Sequence, residues 1–103
     1  MIDDKSYFSM LSEAYNSISE NTDEFNKKVK ESIYEVAREF ERKKNLVVSA
    51  VHLSQDISSL YVRSMGKLHL NDKTKKLYNV SNTIAQRYIG QVGIGTTIGS
   101  IFH

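Results

Sequence analysis

Apolar side chains recur along this chain at steps of three and four, the spacing of one helix face. Phe8, Leu11, Tyr15 and Ile18 predict a first helix over residues 4–19. The stretch "SISENTDEF" interrupts the pattern, and Asn21 followed by Glu24 has the form of a capping box. A second helix, 22–43, turns Phe25, Val29, Ile33, Val36 and Phe40 inward. Its other face is charged, with Glu35–Arg38 and Glu39–Arg42 paired at helical spacing. The cations of "ERKKN" suit its last turn, where the macrodipole is negative. Asn45 caps a third helix, 46–65, whose stripe of Leu46, Ala50, Leu53, Ile57, Leu60 and Tyr61 is broadened by Val47 and Val51. Gly66 ends it in a left-handed cap. After "KLHLND", Asn71 or Asp72 caps a fourth helix, 72–89, with Leu77, Val80, Ile84 and Tyr88 inward. Gly90 stops it, and 90–103 forms a tail.

A near-heptad runs through residues 11, 15, 18, 25, 29, 36, 40, 47 and 51, which a single long coiled-coil helix would also produce. Capping residues near 20 and 45 favour breaks instead. A lone helical arm would also leave too little chain to cover the apolar third helix. Short connections make consecutive helices antiparallel neighbours. The expected fold is all-α: an antiparallel up-and-down four-helix bundle with a C-terminal apolar, glycine-rich tail.

Composition supports helices, since the chain has no proline and no glycine before Gly66. A length of 103 residues gives one domain with one modest core. The net charge is +2, unevenly spread. Residues 45–103 hold only Asp56 and Asp72 against Arg63, Lys67, Lys73, Lys75, Lys76 and Arg87. That basic half suits approach to an anionic surface, a membrane face or an acidic protein patch, or is simply a solvated face. The absence of cysteine excludes disulfides and thiolate metal sites. No secretory signal opens the chain, and no uncharged run reaches the ~20 residues of a spanning helix. A cytoplasmic protein is the expectation.

Catalytic chemistry is not evident. His52, His69 and His103 have no carboxylate or second histidine at metal-ligand spacing. "GQVGIGTTIG" lacks the Lys-Ser/Thr pair of a phosphate loop and follows a helix, not a strand. No serine sits in a nucleophile elbow. We expect no enzyme, no cofactor and no metal. The bases do not cluster along one helix, so nucleic acid is not an expected partner.

Three stretches, "YFSMLSEAYNSISENTDEF", "LSQDISSLYVRSM" and "LHLNDKTKKLYNVSNTIAQRYIG", together resemble the immunity proteins of class IIa (pediocin-like) bacteriocins over roughly residues 7–90. The likeness lies in the order and spacing of Leu-Ser-Glu-Ala-Tyr, Leu-Ser-x-x-Ile-Ser-Ser and a linker ending before the fourth helix. It implies a small cytoplasmic four-helix bundle, monomeric when free and partly associated with the inner face of the membrane. The implied partner is the membrane part of a mannose-type phosphotransferase system carrying its bound bacteriocin. The protein would recognise that complex from the cytoplasm and block the pore. The resemblance also implies that the C-terminal half sets which bacteriocin is resisted.

The tail, "YIGQVGIGTTIGSIFH" from Tyr88, has no charged side chain apart from any charge on His103. An uncharged segment enters a low-dielectric path without the desolvation cost of a lysine or aspartate. Tyr88, Ile89, Val92, Ile94, Ile98, Ile101 and Phe102 are therefore candidate contacts for the loaded receptor. Lys73, Lys75, Lys76 and Arg87 are candidate docking charges. The alternative for the tail is that Ile94, Ile98 and Phe102 fold back to complete the core. The rival function is a small helical adaptor or type VII-like secretion partner, which a long-helix hairpin would favour.

Overall fold

The computed structural model describes residues 2–43 and 45–92, with side chains through Tyr88. Four helices follow one another: α1 (Asp4–Ser17), α2 (Glu24–Lys43), α3 (Leu46–Arg63) and α4 (Asp72–Val92). Each packs on the next, and α1 closes the ring against α4. The pairings across each seam give the direction. Tyr7 meets Phe40 and Tyr15 meets Tyr34, so α1 and α2 run antiparallel. Ser32 bonds Asp56 while Glu39 meets His52, Ser54 bonds Asn82 while Ser58 bonds Tyr78, and Tyr7 bonds Ser81 while Ser17 bonds Asn71. Every seam is antiparallel, and the bundle runs up and down as the sequence predicts. The breaks at 18–23 and at Asn45 exclude one long helix.

Local chemistry places the breaks. Asp3 accepts from the Ser6 amide at 2.7 Å and Asn45 from the Val48 amide at 3.1 Å, each capping a helix start. Asn71, not Asp72, caps α4, accepting from the Thr74 amide at 2.8 Å. The predicted Asn21–Glu24 box does not form. Asp23 accepts from the Asn26 amide at 2.9 Å, and the Asn26 side chain donates back to Asp23 at 2.9 Å. A carboxylate one residue before the helix outcompetes an amide three residues before it, and α2 starts at Glu24. The α1 C-terminus has no cation of its own. Lys30 of α2 supplies one, donating to the Ile18 carbonyl at 2.8 Å while lying over the Tyr15 ring.

Val29, Ile33, Val36, Phe40, Ala50, Leu53, Ile57, Leu60, Leu77 and Ile84 are buried as the stripes predict. The α1 face is rotated from its prediction. Tyr7 is fully buried, while Phe8 and Tyr15 are only partly covered. Tyr7 is acceptable inside because its hydroxyl pairs with Ser81 Oγ at 2.7 Å. Phe8 instead stacks beside Phe40 with ring centroids 6.5 Å apart. Tyr61 and Tyr88, both expected inward, are 53% and 39% exposed. Buried Ser49 and Ser54 take part of the space assigned to bulkier residues of α3. Tyr88 overhangs: Ser81 lies opposite Tyr7, and α1 has only three helical residues before Tyr7 to face the rest of α4. Nor does Gly90 stop α4, which continues to Val92. A helical glycine costs only about 1 kcal/mol, less than a break requires.

Burial raises the Tyr7 phenol from 10.0 to about 12, against a smaller opposing effect of the Ser81 bond. The folded state keeps the proton while the unfolded chain releases it near 10. Stability attributable to Tyr7 is therefore present below pH 10 and is lost as pH rises toward 12, by up to about 3 kcal/mol. In urea titrations, Tyr7→Phe should lose less stability than the parent over that window.

Candidate functional site

The sequence-predicted docking residues lie on α4, and antiparallel packing leaves its solvent side open. Lys73, Lys75, Lys76 and Arg87 are all exposed. Among the described residues none of them is paired with a carboxylate. At about 100° per residue, Lys73, Lys76 and Arg87 fall within about 60° of one another, on one edge of the helix. Lys75 points to the other side of the solvent face. A rise of 1.5 Å per residue sets Lys73 and Arg87 about 21 Å apart. The structure therefore draws three of the four cations into a line and not into a patch. The lysines mark the start of α4, and the tail leaves from its opposite end.

Tyr88 stands half-exposed beside Arg87 at that far end. The backbone at Ile89 and Val92 belongs to α4. Their side chains, and the candidates Ile94, Ile98, Ile101 and Phe102, lie outside the described residues, as does the question of whether the tail completes the core. A recess of about 510 Å³ opens between Phe8 and Phe40, at the end of the bundle where α4 finishes.

Two groupings escaped the sequence reading. The first corrects the statement that no histidine has a carboxylate at a suitable spacing. His52 Nε2 lies 3.5 Å from Asp56 Oδ2, one turn along α3, and Nδ1 lies 3.4 Å from Glu39 Oε2 on α2. Ser32 Oγ donates to Asp56 at 2.6 Å. Glu39 is thus turned toward His52, away from its expected Arg42 pairing. The two ring nitrogens face different carboxylates, so they do not converge on one point. Among the described residues no group of histidine and acidic side chains is placed to hold a metal ion. The His52–Asp56 spacing was legible in the sequence, but only the α2–α3 packing supplies Glu39. The second grouping is at the α3–α4 corner, where Tyr61, Val62 and Met65 are all exposed. Tyr61 had read as helix stripe, Val62 and Met65 lay inside the predicted third helix without an assigned face, and no sequence signal marked the three as a set.

Among the described residues no helix is long and apolar enough to cross a membrane. Comparison with protein families gives a match to the Bacteriocin immunity protein family over residues 2–80. The chain belongs to this family. The match spans α1, α2, α3 and the start of α4, and membership supports an immunity function for the chain. Arg87, Tyr88 and the tail lie beyond it. No curated protein and no solved structure matches the chain. Four short helices and the immunity family together favour immunity over the long-hairpin secretion partner.

Proposed function

We propose that this immunity protein guards a bacteriocin producer against a class IIa peptide. It recognises the bacteriocin-loaded membrane components of a mannose-type phosphotransferase system from the cytoplasmic side and blocks the pore. The observation that carries the reading is membership of the immunity family, refined to class IIa by the three stretches that resemble it.

The geometry of α4 suggests how docking would proceed. A line of cations along one helix edge fits a side-on approach better than an end-on one. Lying lengthwise, the bundle brings Lys73, Lys76, Arg87 and Tyr88 to the receptor together and sets the root of the tail there too. The uncharged tail then enters the opening. Isoleucine, valine and phenylalanine gain roughly 1.5–3 kcal/mol for each side chain fully taken out of water. Specificity resides in the last part of α4 and the tail, beyond the family match.

Expressing the chain in a bacteriocin-sensitive strain and challenging it with a panel of class IIa peptides tests the function. Protection against at least one peptide is expected, and protection against none removes the reading. The combined substitution of Lys73, Lys76 and Arg87 by glutamate should weaken protection strongly at unchanged helicity. Full protection by that variant would exclude the cationic edge from docking.

A further inference from the structure

The α3–α4 corner is a rigid turn that holds apolar side chains out into water. The Ser64 amide donates to the Leu60 carbonyl at 2.9 Å and the Gly66 amide to the Tyr61 carbonyl at 3.1 Å. The Ser64 hydroxyl is buried, donating to the Tyr61 carbonyl at 2.8 Å and accepting from the Leu68 amide at 2.9 Å. Leu68 then turns into the core. These bonds fix two successive left-handed residues, Met65 at φ 57° and Gly66 at φ 79°. Glycine is at home there, but a side chain at Met65 is strained. The strain serves no internal contact, because Met65 is 86% exposed and Val62 73%. The Tyr61 ring lies beside the bare backbone of Gly66, with its hydroxyl 3.6 Å from where a Cβ would stand.

Cations predominate around this lip, with Glu31, Glu35 and Asp56 sharing a recess with Arg63 on its α2 side. Arg63 and Lys67 are exposed within the lip, and no acidic residue occurs between Asp56 and Asp72. Lys73, Lys75 and Lys76 follow in the first turns of α4, with Asp72 the one acid among them. At the same end of the bundle, Asp23 is engaged by Asn26, and Glu24 lies 3.8 Å from Lys28. Glu20 is the other acid of that connection and is exposed.

We propose that Tyr61, Val62 and Met65 form a lip that inserts into the interfacial zone of an anionic lipid surface, with Arg63 and Lys67 on the headgroups. A few large apolar side chains on a fixed turn reach the acyl boundary without a spanning segment. Tyrosine favours the headgroup level, and neighbouring cations favour anionic lipid. The charge balance of the corner selects lipid over an apolar protein groove, which would leave Arg63 and Lys67 unmatched. The assignment rests on the chemistry of the corner alone, so it stands apart from the immunity reading.

The test is co-sedimentation of the full chain with vesicles, in the absence of receptor and bacteriocin. Vesicles of phosphatidylcholine with phosphatidylglycerol should retain the protein, and vesicles of phosphatidylcholine alone should not. Retention should fall as salt rises. Val62→Asn with Met65→Gly should cut retention about tenfold while keeping helicity and without lowering the melting temperature, since both sites are exposed and glycine suits the positive φ at 65. Arg63→Glu with Lys67→Glu should do the same. Equal retention on both vesicle types, retention unchanged in either double variant, or no retention at all would overturn the proposal. The last outcome would leave the immunity assay unaffected, so the two readings fail separately.

Discussion

Removing residues 93–103 is expected to abolish protection of a sensitive strain while leaving circular dichroism and the melting temperature nearly unchanged. The cut falls after Val92, the last residue of α4, and so spares the whole helix. Among the described residues the buried core is drawn from residues 7 to 85. What the truncation takes away is a run of isoleucine- and phenylalanine-bearing chain without acids, lysine or arginine, the composition that a low-dielectric path accepts. The competing outcome is specific. If the tail instead covers the recess between Phe8 and Phe40, truncation lowers the melting temperature. Each buried isoleucine or phenylalanine lost would then remove roughly 1.5–3 kcal/mol. A folded truncation that still protects would exclude the plug.

Tyr7→Ala should be the most damaging of the single core substitutions in α1, costing about 3–5 kcal/mol in urea unfolding. The ring is fully buried and meets Phe40 edge-on at 5.7 Å. Its loss leaves a cavity between three helices and strips Ser81 Oγ, also fully buried, of its partner at 2.7 Å. The orphaned hydroxyl adds to the cavity cost. Against a total stability of roughly 5–15 kcal/mol for a domain of this size, the variant approaches unfolding. Phe8→Ala, one residue on, should cost much less because Phe8 is only partly covered. Equal costs at the two positions would contradict the orientation of α1.

The contrast between Tyr7 and Phe8 marks where sequence reasoning stops. Phe8, Leu11, Tyr15 and Ile18 and the real inward set, Tyr7, Leu11, Ala14 and Ile18, are both helical stripes separated by a small rotation. Hydrophobicity prefers the first. The second wins because Ser81, far along the chain, satisfies the Tyr7 hydroxyl. On α2 the choice was narrower: Val29, Ile33, Val36 and Phe40 lie opposite a mainly charged side, which leaves the stripe one orientation. The candidate site divides similarly. Exposure of Lys73, Lys75, Lys76 and Arg87 follows from the α4 pattern. The exposed lip of Tyr61, Val62 and Met65 does not, because apolar residues at the end of an apolar helix read as core.

The sequence by itself determined the four helices, the positions of their breaks to within a few residues and the family whose function the chain carries. The helices and their breaks follow from short-range physics: 3.6-residue periodicity, side-chain caps one turn away, and a glycine at φ 79° where the chain must turn left-handed; the family follows from the resemblance of three stretches and not from these rules. Only the tertiary structure decided which face of α1 is inward, and that α4 outruns its partner and exposes Tyr88. It also decided that Glu39 meets His52, and that Met65 is held outward at the α3–α4 corner. Each depends on a partner distant in sequence or on the lengths of two helices relative to one another, quantities that no local pattern encodes.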